Sequence, residues 1–224
     1  MGETTTPKER PILFSGPMVR ALLDGKKTQT RRIFKPQPVQ FGQSNWTFDG
    51  EVYIGDEQLQ DHLVHNVYGA IKGGGSPYGS VWNDYGDRIW VRETFLELER
   101  RDYFDTSKPR DLRINLGELR PPRINGVAYR AECGSDSDAI RKGYGYKWKP
   151  SIFMPRWASR ILLELTDIDI QRLHWITEAD AIAEGSTSIE AFADLWREIN
   201  GPQSWDANPW VWKLSFKRIT PPRS

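Results

Sequence analysis

The stretch "PWVWKLSFKRI" at residues 209–219 decides the fold class, because its apolar and polar side chains alternate. An extended chain would place three apolar side chains on one face and three polar ones on the other: Trp212, Leu214 and Phe216 against Lys213, Ser215 and Lys217. A period of two residues is typical of a strand that packs on a core with one face and meets water with the other. We therefore predict a closing strand over 210–218.

Three other segments have the pattern of strands: "GDRIWVRETF" (86–95), "GVAYRAE" (126–132) and "RILLELTDIDIQRL" (160–173). In the last of them the apolar positions shift phase near Thr166, which predicts a bulge or a bend. We expect one curved or closed sheet that contains the strands at 87–95, 126–131, 160–170 and 210–218.

Capping signals predict short helices over 16–24, 177–185 and 188–201. Ser15 is a suitable N-cap for the first helix, and Gly25 ends it. Thr177 and Asp180 have the spacing of a capping box at the start of the second helix. The third helix is expected to bury one face that carries Phe192, Leu195, Trp196 and Ile199. Short strands with flanking short helices predict one α+β domain over 1–224, a small β-barrel.

Length and composition exclude several classes of protein. A chain of 224 residues suits one large domain, and its single cysteine, Cys133, allows no disulfide within the chain. No apolar run approaches the roughly 20 residues of a membrane helix, and the first residues lack the apolar stretch of a signal peptide. We predict a cytoplasmic protein without a membrane partner. The net charge is +1, so attraction to nucleic acid would depend on a local patch.

Two segments concentrate positive charge. "GKKTQTRR" (25–32) contains four cations and two threonine hydroxyls, and "RKGYGYKWK" (141–149) contains four cations and three aromatic rings. Single-stranded nucleic acid is held by stacking on aromatic rings and by cations along its backbone. We expect the second segment to share one basic face with Lys26, Lys27, Arg31, Arg32 and Lys35. The alternative for the second segment is a solvated loop that aromatic side chains anchor.

The first segment also contains groups that could perform chemistry. A lysine close to a hydroxyl and a carboxylate can hold or activate a nucleophile, and Lys27, Thr30 and Glu184 would supply these groups. Sequence spacing does not show that they meet, and an ion pair between Lys27 and Glu184 that ties two helices together is the alternative. His62 and His65 lack the cysteine or carboxylate signature of a zinc site. We predict no metal and no cofactor.

Four separated segments, in the right order, resemble the ASCH family of the PUA-like superfamily: "LLDGKKTQTRR", "GDRIWVRET", "LTDIDIQRLHWITEADAIAEG" and "WREINGPQSWDANPWVWKLSFKRI". They comprise 65 of the 224 residues and are spread from end to end of the chain. More narrowly, "ILFSGPMVRALLDGKKTQTRRIFKPQP" with "SWDANPWVW" resembles ASCH-like proteins that phages and prophages carry. The stretches around 40–85 and 97–150 look like insertions into the family domain.

The resemblance implies a small PUA-like β-barrel with a cleft that binds RNA or nucleotides. Some small bacterial members are amidohydrolases that remove the acyl group from N4-acetylcytidine. Their lysine and threonine in a G-x-K-T-x-T run, and their glutamate after T-E, fall by motif on Lys27, Thr30 and Glu184. Gln29 and Arg31 stand where those members have apolar residues, and the added cation favours a phosphate.

The sequence supports three functions in a definite order. The first is RNA or nucleotide binding by an ASCH-type barrel, the second is deacylation of N4-acetylcytidine-type nucleosides, and the third is a phage structural or regulatory adaptor. The residues expected to bind the ligand are Lys26, Thr28, Arg31, Arg32, Glu93, Lys147, Trp148, Arg156 and Trp157. Trp148 is the preferred stacking residue. The candidate catalytic residues are Lys27, Thr30 and Glu184.

Overall fold

The structure is a computed structural model that describes residues 7–43, 45–64, 87–98, 126–133 and 147–219. The strands in these ranges are β1 (Glu9–Leu13), β2 (Gln29–Ile33), β3 (Val39–Phe41), β4 (Asn45–Phe48), β5 (Glu51–Ile54), β6 (Arg88–Arg92), β7 (Phe95–Leu98), β8 (Gly126–Tyr129), β9 (Leu162–Arg172) and β10 (Trp210–Ile219). The helices are α1 (Gly16–Leu23), α2 (Asp56–His62), α3 (Glu178–Ala183) and α4 (Ile189–Asn200). The mixed α+β class is therefore confirmed. Within the described ranges, no sheet closes into a barrel.

The chain divides into two compact units, of which the first contains Met1–Glu9, Gly25–Arg88 and Leu163–Arg218. In this unit β9, β10 and β2 are neighbours in that order. Strand β10 runs antiparallel to β2, with Leu214 opposite Thr30. The apolar face predicted for β10 is buried, because Trp212, Leu214 and Phe216 are 6, 0 and 3% exposed.

Helices α3 and α4 cover the strands of the first unit with apolar side chains. Their shared cluster consists of Leu173, Ile176, Ala181, Phe192, Trp196 and Val211. Burial of such side chains is the main source of stability, at about 25 cal/mol for each Å² removed from water. The predicted burial of Ile199 on the apolar face of α4 is wrong. Its side chain is 49% exposed, because Ile199 lies in the last turn of the helix and does not reach this cluster.

The first unit also contains structure where the sequence predicted only an insertion. Strands β3, β4 and β5 form an antiparallel three-stranded sheet, and α2 follows it. Asp49 and Gly50 connect β4 to β5 with positive φ angles of 56° and 81°, as a two-residue Asp-Gly hairpin requires. The local signal was present, since Trp46 and Phe48 alternate with polar residues and are buried.

The second unit contains Arg10–Asp24, Ile89–Leu162 and Ile219–Ser224. Here β1 lies beside β6, and β7 pairs with β8 in a separate two-stranded sheet. The small apolar cluster of this unit consists of Phe95, Val127, Met154 and Ala158. The second unit also contains short 3₁₀ turns at Arg130–Glu132, Ser151–Phe153 and Arg156–Ala158.

The prediction of one common sheet is wrong for the segment at 126–131. Strand β8 takes β7 as its partner, with Tyr129 opposite Phe95, and a 3₁₀ turn follows at once. The predicted strand at 87–95 is divided into β6 and β7, because Glu93 and Thr94 between them belong to neither strand. An interruption at this point ends the ladder of hydrogen bonds of β6.

The phase shift of the apolar positions in the long strand is also seen in their burial, whereas the bulge or bend at Thr166 stays a prediction. Along β9, Leu163 and Leu165 are buried, Thr166 and Asp167 are both exposed, and Ile168 is buried again. Because two successive residues are exposed, the buried side chains of β9 change from odd-numbered to even-numbered positions.

None of the helices in the described ranges is long and apolar enough to cross a membrane.

Candidate functional site

The run that follows Gly25 is fixed by the backbone of Thr28 within the first unit. The Thr28 N–H donates to the carbonyl of Ala183 at 2.8 Å, and its carbonyl accepts from the N–H of Phe216 at 2.9 Å. The start of β2 is thereby held between the C-terminus of α3 and strand β10. This arrangement brings Lys27 next to Glu184, although 157 positions separate them in the chain.

Helix α3 presents two carboxylates on one face. Thr177 and Asp180 form the predicted capping box, since each side chain accepts a hydrogen bond from the backbone N–H of the other. Asp180 and Glu184 are four residues apart, a spacing that places both side chains on the same helix face. The cap therefore orients the helix and leaves its acidic face towards β2.

Three cations meet these two carboxylates, and we call the group the α3–β2 charge cluster: Lys27, Arg31, Asp180, Glu184 and Lys213. Lys27 Nζ donates to Glu184 Oε2 at 2.8 Å and to the Glu184 carbonyl at 2.7 Å. Arg31 Nη1 donates to Glu184 Oε1 at 3.1 Å, and Arg31 Nη2 lies 3.1 Å from Asp180 Oδ2. Lys213 Nζ lies 3.3 Å from Asp180 Oδ1. Both oxygens of each carboxylate thus face a cation.

The inner part of the α3–β2 charge cluster is withdrawn from water. Lys27, Arg31 and Glu184 are 3, 2 and 4% exposed. The predicted basic face is therefore wrong for Lys27 and Arg31, because both cations are buried against carboxylates. Lys26 and Thr28 are exposed, and Arg32 is half-buried.

Burial changes the protonation of Lys27. Loss of hydration lowers the pKa of its ammonium below the ordinary 10.5, the Glu184 carboxylate raises it, and Arg32 and Arg31 lower it again. The loss of hydration is the largest of these effects, so the pKa ends below its ordinary value. Proton transfer from Lys27 is therefore easier than from an exposed lysine.

The pKa of Asp180 moves below its ordinary value too. Partial burial works to raise it, but the Thr177 backbone N–H, Arg31 and Lys213 together outweigh that effect. Its carboxylate remains charged in mildly acidic solution, so Arg31 and Lys213 keep their partner there.

Thr30, the third candidate catalytic residue, is buried at 1% exposure on β2. Successive strand residues point to opposite faces, and opposite residues of paired strands share a face. Thr30 is paired with Leu214, whereas Arg31 is paired with Lys213. The structure thus brings Lys27 and Glu184 together and places Thr30 on the other face of β2 from Arg31.

In the second unit, Glu93 lies in a buried ion pair. Arg160 donates from Nε to Oε1 at 2.9 Å and from Nη2 to Oε2 at 3.1 Å, and it also binds Glu132. Burial raises the pKa of Glu93 while Arg160 opposes that effect. The Arg160 guanidinium lies 3.8 Å from the centre of the Tyr129 ring, and burial raises the pKa of Tyr129 to about 12. These contacts hold Glu93, which lies between β6 and β7, in place.

An exposed segment of the second unit combines cations with aromatic rings, and we call residues 147–157 the aromatic–basic segment. Phe153 and Trp157 are 68 and 58% exposed. Trp148 is half-buried, and the Arg130 guanidinium lies 5.6 Å from its ring centre. Arg156 is half-buried and Lys147 is exposed, whereas residues 141–146 of the predicted loop lie outside the described residues.

The structure places several residues at these sites that were not predicted from the sequence. Asp180 was predicted only as a cap, although its i, i+4 spacing from Glu184 was a usable signal. Lys213 was assigned to the polar face of β10, and nothing in the sequence paired it with α3. Phe153 is the more exposed ring beside Trp157, and only the turn geometry reveals this.

Comparisons with known proteins gave one distant structural likeness. No family model matches the chain, and no curated protein matches it. A solved structure, protein EF3133 from Enterococcus faecalis V583, described by the family model DUF984, has a TM-score of 0.39 and 8% sequence identity to this chain. The match covers 97% of this chain and 83% of that one.

Proposed function

We propose that this protein binds RNA or nucleotides as an ASCH-type protein, and that the aromatic–basic segment is its contact surface. The observation that carries the proposal is the exposure of Phe153 and Trp157 next to Arg156. Large exposed rings beside cations are the chemistry that holds unpaired bases and their phosphates.

The rings are held in place by the backbone on which they stand. Two 3₁₀ turns carry them, closed by the N–H of Phe153 on Pro150 O at 3.0 Å and the N–H of Ala158 on Pro155 O at 3.1 Å. Met154 and Ala158 anchor these turns in the apolar cluster of the second unit. A surface ordered before binding loses less conformational entropy when the ligand arrives.

Cations along the same segment suit a phosphate backbone. Lys147 and Lys149 are exposed on either side of Trp148, although Lys149 also pairs with Glu97 at 2.7 Å. Arg156 precedes the exposed Trp157 in the chain, and its guanidinium lies 6.0 Å from the ring centre of Trp90. The segment thus offers stacking and charge within eleven residues of chain.

The test is fluorescence anisotropy with a labelled single-stranded RNA of about 12 nucleotides. Wild-type protein should bind with an affinity that falls as salt rises, and Trp157→Ala should weaken binding by about 1–3 kcal/mol. Trp175→Ala replaces an exposed tryptophan of the first unit and is the matched control. The proposal fails if no RNA or DNA oligomer binds, or if Trp157→Ala binds like the wild type.

A second candidate function, hydrolysis of N4-acylated cytidine, is supported by the contact between Lys27 and Glu184. A buried lysine of lowered pKa that donates to a carboxylate can pass a proton between them. In the family mechanism the threonine hydroxyl gives up its proton and attacks the acyl carbon, the bond to the cytosine nitrogen breaks, and that nitrogen takes up a proton. Water then hydrolyses the acyl-threonine ester, which releases the carboxylic acid and restores the hydroxyl.

Release of cytidine from N4-acetylcytidine tests this second function. Lys27→Met and Glu184→Gln should abolish the release, and Lys26→Ala, at the exposed neighbour, should retain it. Circular dichroism must show that each variant is folded, because both residues are buried. Wild-type protein that leaves the acylated nucleoside intact removes this function and does not affect RNA binding.

The PUA-like barrel, the phage or prophage origin and the cytoplasmic location belong to the same proposal. Their support is the sequence: four ordered ASCH-like segments and a single cysteine. The phage adaptor function also rests on sequence alone.

A further inference from the structure

The sheet of β3, β4 and β5 carries apolar side chains on both of its faces. The inner face presents Trp46, Phe48 and Tyr53, which are buried. Successive strand residues point to opposite faces, so the remaining residues of the three strands form the other side. We call this side the outer sheet face: Val39, Phe41, Asn45, Thr47, Val52 and Ile54. We propose that the outer sheet face is a docking surface for a basic, amphipathic polypeptide segment of a partner protein.

The strand register arranges the outer sheet face in two rows. In each row an apolar residue of β3 and an apolar residue of β5 flank a polar residue of β4. The rows are Val39, Thr47 and Val52, and Phe41, Asn45 and Ile54. Side chains directly opposite each other on paired strands are about 5 Å apart, so the members of a row are in reach of one another.

The four apolar members of the outer sheet face are exposed to water. Val39, Phe41, Val52 and Ile54 are 64, 42, 59 and 74% exposed. Single exposed apolar side chains are ordinary on a protein surface, but a contiguous apolar patch with polar residues around it is typical of an interaction site. The arrangement therefore indicates a surface that a partner covers.

The packing of the inner face holds this surface in shape. The Trp46 ring meets the Trp210 ring edge-on with centres 5.8 Å apart, and Trp46 Nε1 donates to Asp56 Oδ1 at 2.8 Å. The ring centres of Phe48 and Phe34 are also 5.8 Å apart. A surface that is ordered before binding loses less conformational entropy when a partner docks.

The charge around the outer sheet face selects the partner. Residues 36–71 contain five acidic residues and no lysine or arginine. Asp49 in the hairpin before β5 and Glu57 in the first turn of α2 after it are both exposed. Glu57 lines the same open pocket as Ile54, which places its carboxylate beside the outer sheet face. Such carboxylates attract lysine and arginine and repel nucleic acid and anionic lipid headgroups.

Arg172 of β9 also reaches this sheet, but its charge is offset. Its guanidinium lies 4.7 Å from the centre of the inner Trp46 ring, and its Nε lies 3.9 Å from Asp56 Oδ2. The acidic character of the surroundings therefore remains. A second copy of this chain is disfavoured as the occupant, because a symmetric pair would bring two sets of like charges together.

The inference goes beyond the proposed function, because it concerns another surface, in the other unit, and a polypeptide in place of a nucleic acid. The test is a selection of random displayed peptides on the immobilised full-length protein. Enriched peptides should combine apolar side chains with more lysine and arginine than aspartate and glutamate. The most enriched peptide is then labelled, and its affinity is measured by fluorescence anisotropy.

The double variant Val52→Thr, Ile54→Thr should weaken peptide binding about tenfold or more, because it removes apolar contact area from the centre of the interface. Threonine is also β-branched, so β5 keeps its strand preference. Ile152→Thr changes an isoleucine of the second unit that is also exposed, and this matched control should bind the peptide like the wild type.

A second double variant, Asp49→Asn with Glu57→Gln, tests the charge. Asparagine suits the positive φ of 56° at Asp49, so the hairpin is retained. Peptide binding at low salt should weaken about fivefold, and its salt dependence should become smaller than that of the wild type.

The proposal is overturned if no peptide is enriched, if the enriched peptides are acidic, or if the Val52→Thr, Ile54→Thr variant binds the peptide like the wild type. A wild-type dimer in sedimentation analysis that this variant dissociates would assign the face to a second copy and would also overturn it. Trp157→Ala should lose RNA binding and keep peptide binding, which separates this proposal from the proposed function.

Discussion

At the scale of single residues, the α3–β2 charge cluster shows that burial determines whether a cation pairs within the protein or remains at the surface. Lys27 and Arg31 look like surface cations in the sequence, but both share the Glu184 carboxylate away from water. A buried ion pair gains little over an apolar pair of the same size, yet loss of one partner leaves an uncompensated buried charge. Glu184 therefore has a structural role whatever its chemical role.

Replacement of Glu184 by Gln should destabilise the protein by about 3–5 kcal/mol, because two buried cations lose their counter-charge. Urea unfolding measures this change. Arg197→Ala removes an exposed pair with Asp194 on α4 and should cost less than about 1 kcal/mol. Equal stability of Glu184→Gln and the wild type would show that the cluster is hydrated in solution.

The lowered pKa of Asp180 predicts an acid-dependent loss of stability. In the unfolded chain Asp180 titrates near its ordinary value of 3.8 and in the folded protein it titrates lower. The stabilisation is therefore complete above that value and is lost as the pH falls through the folded pKa. Asp180→Asn lacks this charge-dependent stabilisation. The difference in free energy of unfolding between the wild type and Asp180→Asn should therefore shrink as the pH falls from about 5 to about 2.

Urea unfolding at several pH values measures that gap. Asp194→Asn, at an exposed ion pair on α4, is the control, and its gap should stay within about 0.5 kcal/mol. A gap for Asp180→Asn that is constant over the whole acid range would contradict the charge contacts assigned to Asp180.

At the scale of elements, two helices that look alike in sequence are capped differently. The capping box of α3 is complete, with hydrogen bonds in both directions between Thr177 and Asp180. Helix α1 begins after Ser15, but that side chain makes no capping hydrogen bond. Ser15 therefore occupies the predicted N-cap position, but a suitable residue type at that position does not by itself form the capping hydrogen bond.

This difference predicts unequal effects of the same substitution. Thr177→Ala should lower the free energy of unfolding by about 1 kcal/mol, because an N–H at the start of α3 loses its acceptor. Ser15→Ala should change it by less than about 0.5 kcal/mol. Thermal or urea unfolding of both variants measures the change in free energy of unfolding. A larger change for Ser15→Ala than for Thr177→Ala would contradict the assigned caps.

At the scale of the whole molecule, a net charge of +1 offers almost no overall attraction to nucleic acid. Binding must then depend on local cations, and the number of phosphate contacts sets the salt dependence. The position of a lysine therefore matters more than the total number of lysines.

Lys147→Ala should reduce the salt slope of RNA binding by about 0.7, the value for one phosphate contact on a single strand. Lys217 is also exposed, but it pairs with Glu164 at 2.6 Å in the first unit, so Lys217→Ala should leave the slope unchanged. Anisotropy titrations at several salt concentrations give both slopes. Equal slopes for the two variants would mean that the attraction does not come from the aromatic–basic segment.

The sequence by itself determined the features that depend on near neighbours in the chain. The alternation in β10, the phase shift at Thr166 and the capping box of α3 each follow from residues within a few positions of one another. The missed hairpin at Asp49 and Gly50 belongs to this group as well, since its turn signal was visible in the chain. Local periodicity and turn chemistry are sufficient for such features.

Only the tertiary structure decided which distant residues share an environment. It buried Lys27 against Glu184, turned Thr30 to the other face of β2 from Arg31, and gave β8 the partner β7. It also exposed Phe153 and Trp157, which the sequence does not distinguish from core aromatic residues. The physical reason is that burial, ion pairing and strand pairing depend on contacts between segments far apart in the chain, and local patterns do not contain those contacts.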